Sequence, residues 1–259
     1  MTIFDGHTHL GLGFEPDNLI VSMEKYNITL ALVSIISDDL DTKANNEMVQ
    51  LAKKHKQLRG LAWCNPINKK NSAQEIEHFF RDGKLIGMKF HPSLNMYSVT
   101  DPSVEPYMEL CVQYDIPAQF HTQPDEYCNP NLMLKLALRH PQVKIIMVHM
   151  NLGNKGSDND VAIDAAKNAS NLLLDTTWVP SEKVIKAVKG IGKDRIIFGT
   201  DAPVGNYYRF GDYEHYDHYF LFNAIPFQEP PFISYLQKRL SPDEYDHVMY
   251  LNAKRIYHL

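Results

Sequence analysis

Residues 143–149 read Val-Lys-Ile-Ile-Met-Val-His, a short and mostly apolar run that ends on a histidine. Continuous rather than alternating apolar patterning is typical of a parallel strand that is buried on both faces. Eight such runs recur along the chain, at residues 2–5, 29–36, 61–64, 85–90, 117–120, 143–148, 171–175 and 195–199. Their starts lie roughly 24 to 32 residues apart, close to the length of one strand-helix-strand unit. The sequence therefore predicts eight strand and helix units in succession.

Helix starts support this division. A capping residue followed by proline stands at residues 101–102, 129–130 and 241–242. The last of these also has Glu244 where it completes a capping box with Ser241, ahead of a final helix through about Ile256. No proline-, glycine- or serine-rich linker divides residues 1–259, so we expect one domain. Eight unbroken units predict an α/β fold of the (β/α)₈ TIM-barrel type rather than an open doubly wound sheet.

The segment from about residue 202 to residue 231 is longer than an ordinary connection and rich in aromatic residues. Its aromatic members are Tyr207, Tyr208, Phe210, Tyr213, Tyr216, Tyr219 and Phe220. Long connections of this kind are often functional. Two interpretations stay open, an ordered cap over the barrel mouth and packing against the outer helices.

The composition excludes several classes of protein. The formal net charge is -5 and no cluster of lysine and arginine occurs, so neither nucleic acid nor an anionic membrane surface is an expected partner. No run approaches the roughly 18 apolar residues of a membrane span, and no secretory signal is evident. The 3 cysteines lack CxxC spacing, which argues against a disulfide framework and favours a reducing cytoplasm.

Histidine is unusually frequent in this chain, with 12 residues. Residues 5–9, at the end of the first run, read Asp-Gly-His-Thr-His. Because side chains alternate along a strand, Asp5, His7 and His9 are expected on one side, where both imidazoles can share a metal ion. The spacing alone is weak evidence, since a pair of histidines two apart arises easily by chance in so histidine-rich a chain.

Position strengthens the interpretation. His121 follows the fifth run, His149 follows the sixth and Asp201 follows the eighth. Carboxyl ends of barrel strands converge at one mouth, so these side chains should meet His7 and His9 there. Imidazoles and a carboxylate suit a divalent first-row metal, with zinc as the default. The other histidines are expected to have no functional role: His55, His78, His140, His215, His218, His247 and His258.

Lys89 and His91 end the fourth run with the same parity, so both are expected to face the mouth. A lysine inside a barrel is seldom buried without a partner, which predicts a functional role for Lys89. As an ammonium it would bind a substrate carboxylate, and as a carbamate it would bridge two metals with His121 and His149 on the second ion. The ammonium is favoured. His91 stays open between a substrate-binding role in the pocket lining and a hydrogen bond to the following loop.

With these motifs the chain resembles the amidohydrolase superfamily, in the branch that also contains metal-dependent decarboxylases. The resemblance rests on residues 5–9, Gly-Met-Lys-Phe-His-Pro at 87–92, His121, His149, Gly-Thr-Asp at 199–201 and Asn-Ala-Lys-Arg-Ile at 252–256. It implies His7, His9 and Asp201 as ligands of the primary metal. It implies His121 as a fourth ligand or a ligand of a second ion, and His149 as a second-metal ligand or as the group that polarises the substrate.

The resemblance also bears on the number of metal ions. Nuclease-like members of the superfamily carry a glutamate near the position of Lys89. One ion is therefore favoured, with two expected if Lys89 is carbamylated, and DNA is disfavoured as a substrate.

The expected activity follows from this site. A divalent metal lowers the pKa of bound water towards 7 and polarises the carbonyl that is attacked. Asp201 would take the proton of the water and pass it to the leaving group, and His149 would stabilise charge on the carbonyl oxygen. We expect a metal-dependent hydrolase of an amide, lactone or ester bond in a small, carboxylate-bearing molecule held by Lys89. The alternatives are a non-oxidative decarboxylase of an unsaturated or aromatic acid and a metal-binding scaffold without turnover. A homo-oligomer is left open.

Overall fold

The computed structural model describes residues 2–11, 15–37, 42–152, 157–202 and 231–259. Its strands are β1 (Ile3–Leu10), β2 (Ile28–Ile35), β3 (Leu58–Gly60), β4 (Ala62–Cys64), β5 (Met88–Phe90), β6 (Ala118–His121), β7 (Ile145–Val148), β8 (Leu172–Asp175) and β9 (Ile196–Ile197). Its α-helices are α1 (Pro16–Lys25), α2 (Lys43–Lys54), α3 (Ala73–Arg81), α4 (Pro92–Asn95), α5 (Glu105–Tyr114), α6 (Pro130–Arg139), α7 (Ser157–Lys167), α8 (Ser181–Ile191), α9 (Pro231–Arg239), α10 (Pro242–Asp246) and α11 (Asn252–Ile256). A π-helical segment, His247–Leu251, joins the last two helices.

Of two features predicted for the last sixty residues, the structure describes one. The capping box of Ser241 and Glu244 is present at the start of α10. The aromatic segment expected as a cap at about 202–231 lies, over residues 203–230, outside the described residues.

All of the paired strands are parallel, and they form two runs with the orders β1-β2-β3 and β4-β5-β6-β7-β8-β9. The two runs join at Leu61, between β3 and β4. The backbone N–H of Leu61 donates to the carbonyl of Val33 at 2.8 Å, and that of Ala62 donates to the carbonyl of Gly87 at 2.9 Å. Strands β3 and β4 are therefore one barrel strand, which starts at Leu58 rather than at the predicted residue 61.

The barrel closes between β1 and the segment that follows β9. The N–H of Gly6 donates to the carbonyl of Phe198, and the N–H of Asp201 donates to the carbonyl of His7, each at 2.8 Å. Thr8 and Ala202 form a parallel bridge one step further along. Among the described residues this completes the eight strand positions, and the predicted (β/α)₈ barrel is confirmed.

Close approach at this seam requires glycine in β1. A Cβ built on Gly6 would lie 2.3 Å from Ile197 Cγ2 and 2.8 Å from the carbonyl oxygen of Phe198. Real Cβ atoms do not come that close, so the seam as built excludes a side chain here. The glycine inside the Asp-Gly-His-Thr-His motif thus serves barrel closure.

The interior of the barrel is divided between an apolar end and a polar end. Its apolar cluster consists of Phe4, Leu32, Leu61, Ile146, Val148, Leu173, Ile197, Ala253, Ile256 and Tyr257. The last three come from α11 and the residue after it, so the helix packs against the amino-terminal half of the strands. Above this layer Gln119 donates to the carbonyl of Gly6 and to the hydroxyl of Tyr257, both at 2.7 Å. The polar side chains at the carboxyl ends of the strands therefore lie above a closely packed apolar layer.

Candidate metal centre

Two imidazoles from β1 and one carboxylate from the end of the barrel meet at a point. His7 Nε2 lies 2.9 Å from His9 Nε2, with the two rings edge to face. Oδ1 of Asp201 lies 3.4 Å from His7 Nε2 and 3.2 Å from His9 Nε2. All three side chains are buried. This is the meeting point that strand alternation and barrel geometry predicted for these residues.

The expectation that Asp5 shares this side is wrong. The register of β1 against β2 shifts between Asp5 and Thr8, so alternation is broken within the motif. The carboxylate of Asp5 instead accepts from the N–H of Thr200 at 3.0 Å and from its hydroxyl at 2.5 Å. Burial raises the pKa of Asp5 to about 7. Asp5 thus fixes the residue before Asp201 rather than joining the cluster.

The outer nitrogens of both imidazoles are engaged. His9 Nδ1 lies 2.9 Å from Oγ of Ser34, which can donate or accept, and 3.3 Å from the Ser34 carbonyl oxygen, which can only accept; the tautomer that satisfies both contacts carries the proton on Nδ1. His7 Nδ1 lies 2.9 Å from Oδ2 of Asp175. That carboxylate already accepts from the N–H of Thr177 and from its hydroxyl, so it acts as an acceptor and His7 Nδ1 donates.

Both rings consequently present the lone pair of Nε2 to the same point, next to Oδ1 of Asp201. Three lone pairs aimed together repel one another unless a cation lies near them, and a metal ion, unlike the Lys89 amine 3.1 Å from His7 Nε2, would be held by all three atoms. Two neutral imidazoles and a carboxylate are also a donor set that divalent metals such as zinc accept. The residues present therefore fit a divalent metal.

The electrostatics agree with this donor set. Burial lowers the pKa of His7 and His9, so both rings are neutral at pH 7. Burial opposes ionisation of Asp201, yet its pKa lies well below its usual range; between neutral rings, the indole N–H of Trp178, which donates to Oδ2, is the group that favours the carboxylate. Asp201 is therefore an ionised carboxylate between two neutral imidazoles.

Lys89 lies inside the barrel on β5, as its parity predicted, and is 1% exposed. Its Nζ lies 3.1 Å from His7 Nε2. Burial lowers the pKa of Lys89 to about 8, against the attraction of Asp201 and Asp175. The amine thus lies within hydrogen-bond distance of His7 Nε2, and its charge changes near neutral pH.

His149 belongs to a second group of possible ligands. Among the described residues, His7, His149 and Asp175 form the only other set whose donor atoms lie within 4.8 Å of one another. His149 Nδ1 lies 3.3 Å from the carbonyl oxygen of Thr177, so Nδ1 carries the proton and Nε2 the lone pair. Burial lowers the pKa of His149 as well.

His121 and His91 lie beside this point and contact each other. Their rings stack with centroids 3.9 Å apart and an interplanar angle of 12°. His121 Nε2 lies 2.9 Å from Oε1 of Gln123, and His121 is in neither group of convergent donors. His91 caps α4, because its Nδ1 accepts from the N–H of Leu94 at 3.1 Å. His91 therefore makes the loop hydrogen bond that was one of its two expected roles, while it also lines the site.

Sequence reasoning missed the two groups that orient the cluster from behind, Asp175 and Trp178. Asp175 ends an apolar run in Leu-Leu-Leu-Asp, and the rule that selected Asp201 applied to it equally. Trp178 donates from its indole N–H to Oδ2 of Asp201 at 2.6 Å. Nothing in the sequence pattern distinguishes Trp178 from other aromatic residues.

Four of the histidines expected to have no functional role lie near partners away from the mouth. The neighbours are the carbonyl of Glu75 for His78, Glu105 for His140, Asp243 for His247 and Asp115 for His258. His55 follows α2 as its C-cap. His215 and His218 lie outside the described residues.

Comparisons with known proteins place this geometry in context. A family model described as amidohydrolase matches residues 36–259. No curated protein matches the chain. Among the described residues, no helix is both long enough and apolar enough to span a membrane.

Several solved structures share the fold at low sequence identity. A TIM-barrel protein from Bordetella bronchiseptica has a TM-score of 0.75 at 17% identity, over 99% of this chain and 98% of that one. 5-Carboxyvanillate decarboxylase from Sphingomonas paucimobilis has a TM-score of 0.71 at 13% identity, over 100% and 99%. A probable 2-pyrone-4,6-dicarboxylic acid hydrolase from Acinetobacter baumannii has a TM-score of 0.66 at 12% identity, over 100% of both chains. At such identities the likeness shows the fold alone.

Proposed function

This chain belongs to the amidohydrolase family, and from that premise we propose that it is a metal-dependent hydrolase of an amide, lactone or ester bond in a small, carboxylate-bearing molecule. The observation that carries the proposal is the convergence of His7 Nε2, His9 Nε2 and Asp201 Oδ1. These atoms would hold one divalent metal, zinc by default, with His121 as the fourth ligand. When bound, the metal supplies Lewis acidity, which activates water and polarises a carbonyl.

Asp201 would move the proton. It is ionised at neutral pH and presents Oδ1 to the point where His7 and His9 meet. A carboxylate placed there can accept a proton from the attacking water at Oδ1 and return it to the leaving group. His7, His9 and Asp201 are all buried, so this exchange would take place away from the exposed surface.

Lys89 and His91 would bind the substrate. The buried Lys89 amine is the cation best placed to hold a carboxylate next to the ligand atoms. His91, stacked on His121, would form a flat wall beside it. His149 would stabilise a developing oxyanion from Nε2 in the tautomer that carries its proton there, whereas with the proton on Nδ1, as the contact with Thr177 favours, Nε2 would be a ligand atom.

A decarboxylase of an aromatic or unsaturated acid is the second candidate, and one observation favours it. The His91 and His121 rings are stacked, and the Trp63 ring lies 6.3 Å from His91 between centroids. Such a flat wall suits a planar, conjugated acid. The fold likeness to 5-carboxyvanillate decarboxylase is consistent with this candidate, as the likeness to the pyrone hydrolase is with the first.

The test has two parts. Elemental analysis of protein purified without added metal is expected to give one divalent ion per chain. Turnover of carboxylate-bearing lactones, esters, amides and aromatic acids is then followed by mass spectrometry. A product heavier by one water supports hydrolysis, whereas loss of one carbon dioxide shows decarboxylation. Stoichiometric metal with no turnover of any of these compounds would indicate a metal-binding scaffold.

The proposal extends to partners and location. A small molecule is the proposed partner, and neither nucleic acid nor membrane lipid is. The three cysteines, Cys64, Cys111 and Cys128, are free thiols, which supports a reducing cytoplasm. Light scattering would show whether the chain is a homo-oligomer.

A further inference from the structure

The two carboxylate oxygens of Asp201 have different partners. Oδ1 faces His7 Nε2 and His9 Nε2, at 3.4 and 3.2 Å. Oδ2 accepts the indole N–H of Trp178 at 2.6 Å. We propose that Trp178 is a positioning residue, whose N–H fixes the Asp201 carboxylate so that Oδ1 is the atom offered to the metal. This inference rests on the proposed metal-dependent function.

The need for such a group follows from the side chain of aspartate. The terminal torsion of a carboxylate is broad, so burial alone does not fix the plane of the group or hold one oxygen towards the histidines. A short hydrogen bond to an ionised oxygen is among the stronger ones in proteins. Since the bond from Trp178 holds Oδ2, the opposite oxygen is directed at the two Nε2 atoms.

The chemistry of indole makes the assignment asymmetric. Its N–H donates and cannot accept, unlike a hydroxyl or an amide. Oδ2 is therefore always the acceptor in this bond, and Oδ1 is left to face His7 and His9.

The backbone at both ends of this bond supports a functional arrangement. Trp178 has φ 61° and Asp201 has φ 60°, both in the left-handed region. Bulky residues rarely adopt that region, and strain of this kind concentrates at functional sites. The surroundings over-determine both turns, because Asp175 accepts from the N–H of Thr177 and the carbonyl of His7 accepts from the N–H of Asp201.

Asp175 and Trp178 stand three residues apart at the end of β8, and they act on different members of the cluster. Asp175 accepts from His7 Nδ1, and Trp178 donates to Asp201. One short segment therefore sets the orientation of ligands from both β1 and the seam. A Trp178 that served only as packing would need its ring but not its N–H.

The test removes the N–H and keeps the ring. Trp178 is replaced by benzothienylalanine, in which sulfur stands for the indole nitrogen, and in a second variant by phenylalanine. Co²⁺ affinity is measured by chelator competition, and the visible spectrum of the Co²⁺-loaded protein is recorded, both without substrate. We expect Co²⁺ to bind about tenfold more weakly in both variants, with a changed spectrum, as for loss of other partners that orient metal ligands.

Tyr114, at the end of α5, provides the control, because its hydroxyl donates to Oε1 of Glu77 at 2.7 Å, away from the cluster. Tyr114→Phe, which also removes a donor and keeps a ring, is expected to keep the parent's Co²⁺ affinity. Parent-like affinity and spectrum in the Trp178 benzothienylalanine variant would overturn the inference while the proposed function stood. A parent protein that binds no Co²⁺ would overturn both.

Discussion

Asp175 and His7 are 168 residues apart in the chain, yet Oδ2 of the first lies 2.9 Å from Nδ1 of the second. Oδ1 of the same carboxylate accepts the backbone N–H of His149 at 2.7 Å. Asp175 therefore sets the tautomer of His7 and the backbone position of His149 together. Among metalloproteins, a carboxylate behind a ligating histidine orients the ring and raises its basicity.

The first prediction concerns Asp175. Asp175→Asn would place an amide N–H opposite His7 Nδ1–H, or force His7 into the tautomer whose Nε2 has no lone pair. Metal affinity is expected to fall by about 10- to 100-fold, measured by chelator competition. The matched control is Asp164→Asn, because Asp164 is an exposed partner of Lys167. Equal affinities in the two variants would contradict the orienting role of Asp175.

The second prediction concerns the proton of the attacking water. In Asp201→Asn the base is lost, and turnover on an identified substrate is expected to fall by roughly 10²- to 10⁴-fold. Steady-state kinetics at saturating metal measures this. The exposed Asp115, which pairs with Lys144, supplies the control variant Asp115→Asn. Full turnover by Asp201→Asn would exclude the proton-transfer role.

The third prediction separates the two roles considered for Lys89. Lys89→Met keeps the length of the side chain and removes its charge. If the ammonium binds the substrate carboxylate, KM is expected to rise about 10- to 100-fold, the range for a hydrogen bond to a charged group, while the metal content stays at one ion. A neutral analogue of the substrate should show no such rise. Loss of a second ion from the variant would instead show a bridging carbamate.

The fourth prediction concerns the barrel seam. A Cβ at Gly6 would meet Ile197 Cγ2 at 2.3 Å, whereas at Gly190, inside α8, the nearest atoms outside that helix's own backbone lie at 3.5 and 3.6 Å. Gly6→Ala is expected to destabilise the fold by about 1–3 kcal/mol, as overpacking does. Gly190→Ala is expected to stabilise it by about 0.5–1 kcal/mol. Urea unfolding of both variants measures the difference, and equal midpoints would contradict it.

The fifth prediction concerns the loss of folding stability in acid at the start of α10. The Lys189 ammonium, with the N–H of Ser241, lowers the pKa of Glu244 to about 2 from 4.5. The unfolded chain therefore binds more protons between these values, so the contribution is present above pH 4.5 and lost as pH falls towards 2. Glu244→Gln is expected to flatten the pH dependence of the unfolding midpoint in this window. An unchanged profile would show that the pair contributes nothing there.

The barrel was predictable because its parallel strands are apolar on both sides, a pattern that is visible in the sequence without knowing which strands pair. The division of one barrel strand into β3 and β4 at Leu61 was not predictable. There the backbone changes its hydrogen-bond partner from Val33 to Gly87, while the side chains stay buried. The last barrel strand is also shorter than its apolar run. That run covers residues 195–199, whereas β9 spans Ile196–Ile197.

The ligand candidates of the centre were predictable from position, and their orienting partners only in part. Strand ends selected His7, His9 and Asp201, and the structure brings these three together. Strict alternation failed at Asp5, because a register shift in β1 depends on the neighbouring strand. The bond from Trp178 to Asp201 depends on a left-handed turn that no residue pattern announces.

Barrel closure has a consequence for the order in which the protein is made. Asp5 and Thr200 are 195 residues apart, so when a ribosome has released the first motif, its partners across the seam do not yet exist. Contacts so distant in sequence form late, because the loop between them must first be closed. The two imidazoles of β1 are therefore without their carboxylate partner during most of synthesis. A metal ion that needs all three ligands would bind only after the barrel has closed, so bound metal would indicate a folded chain.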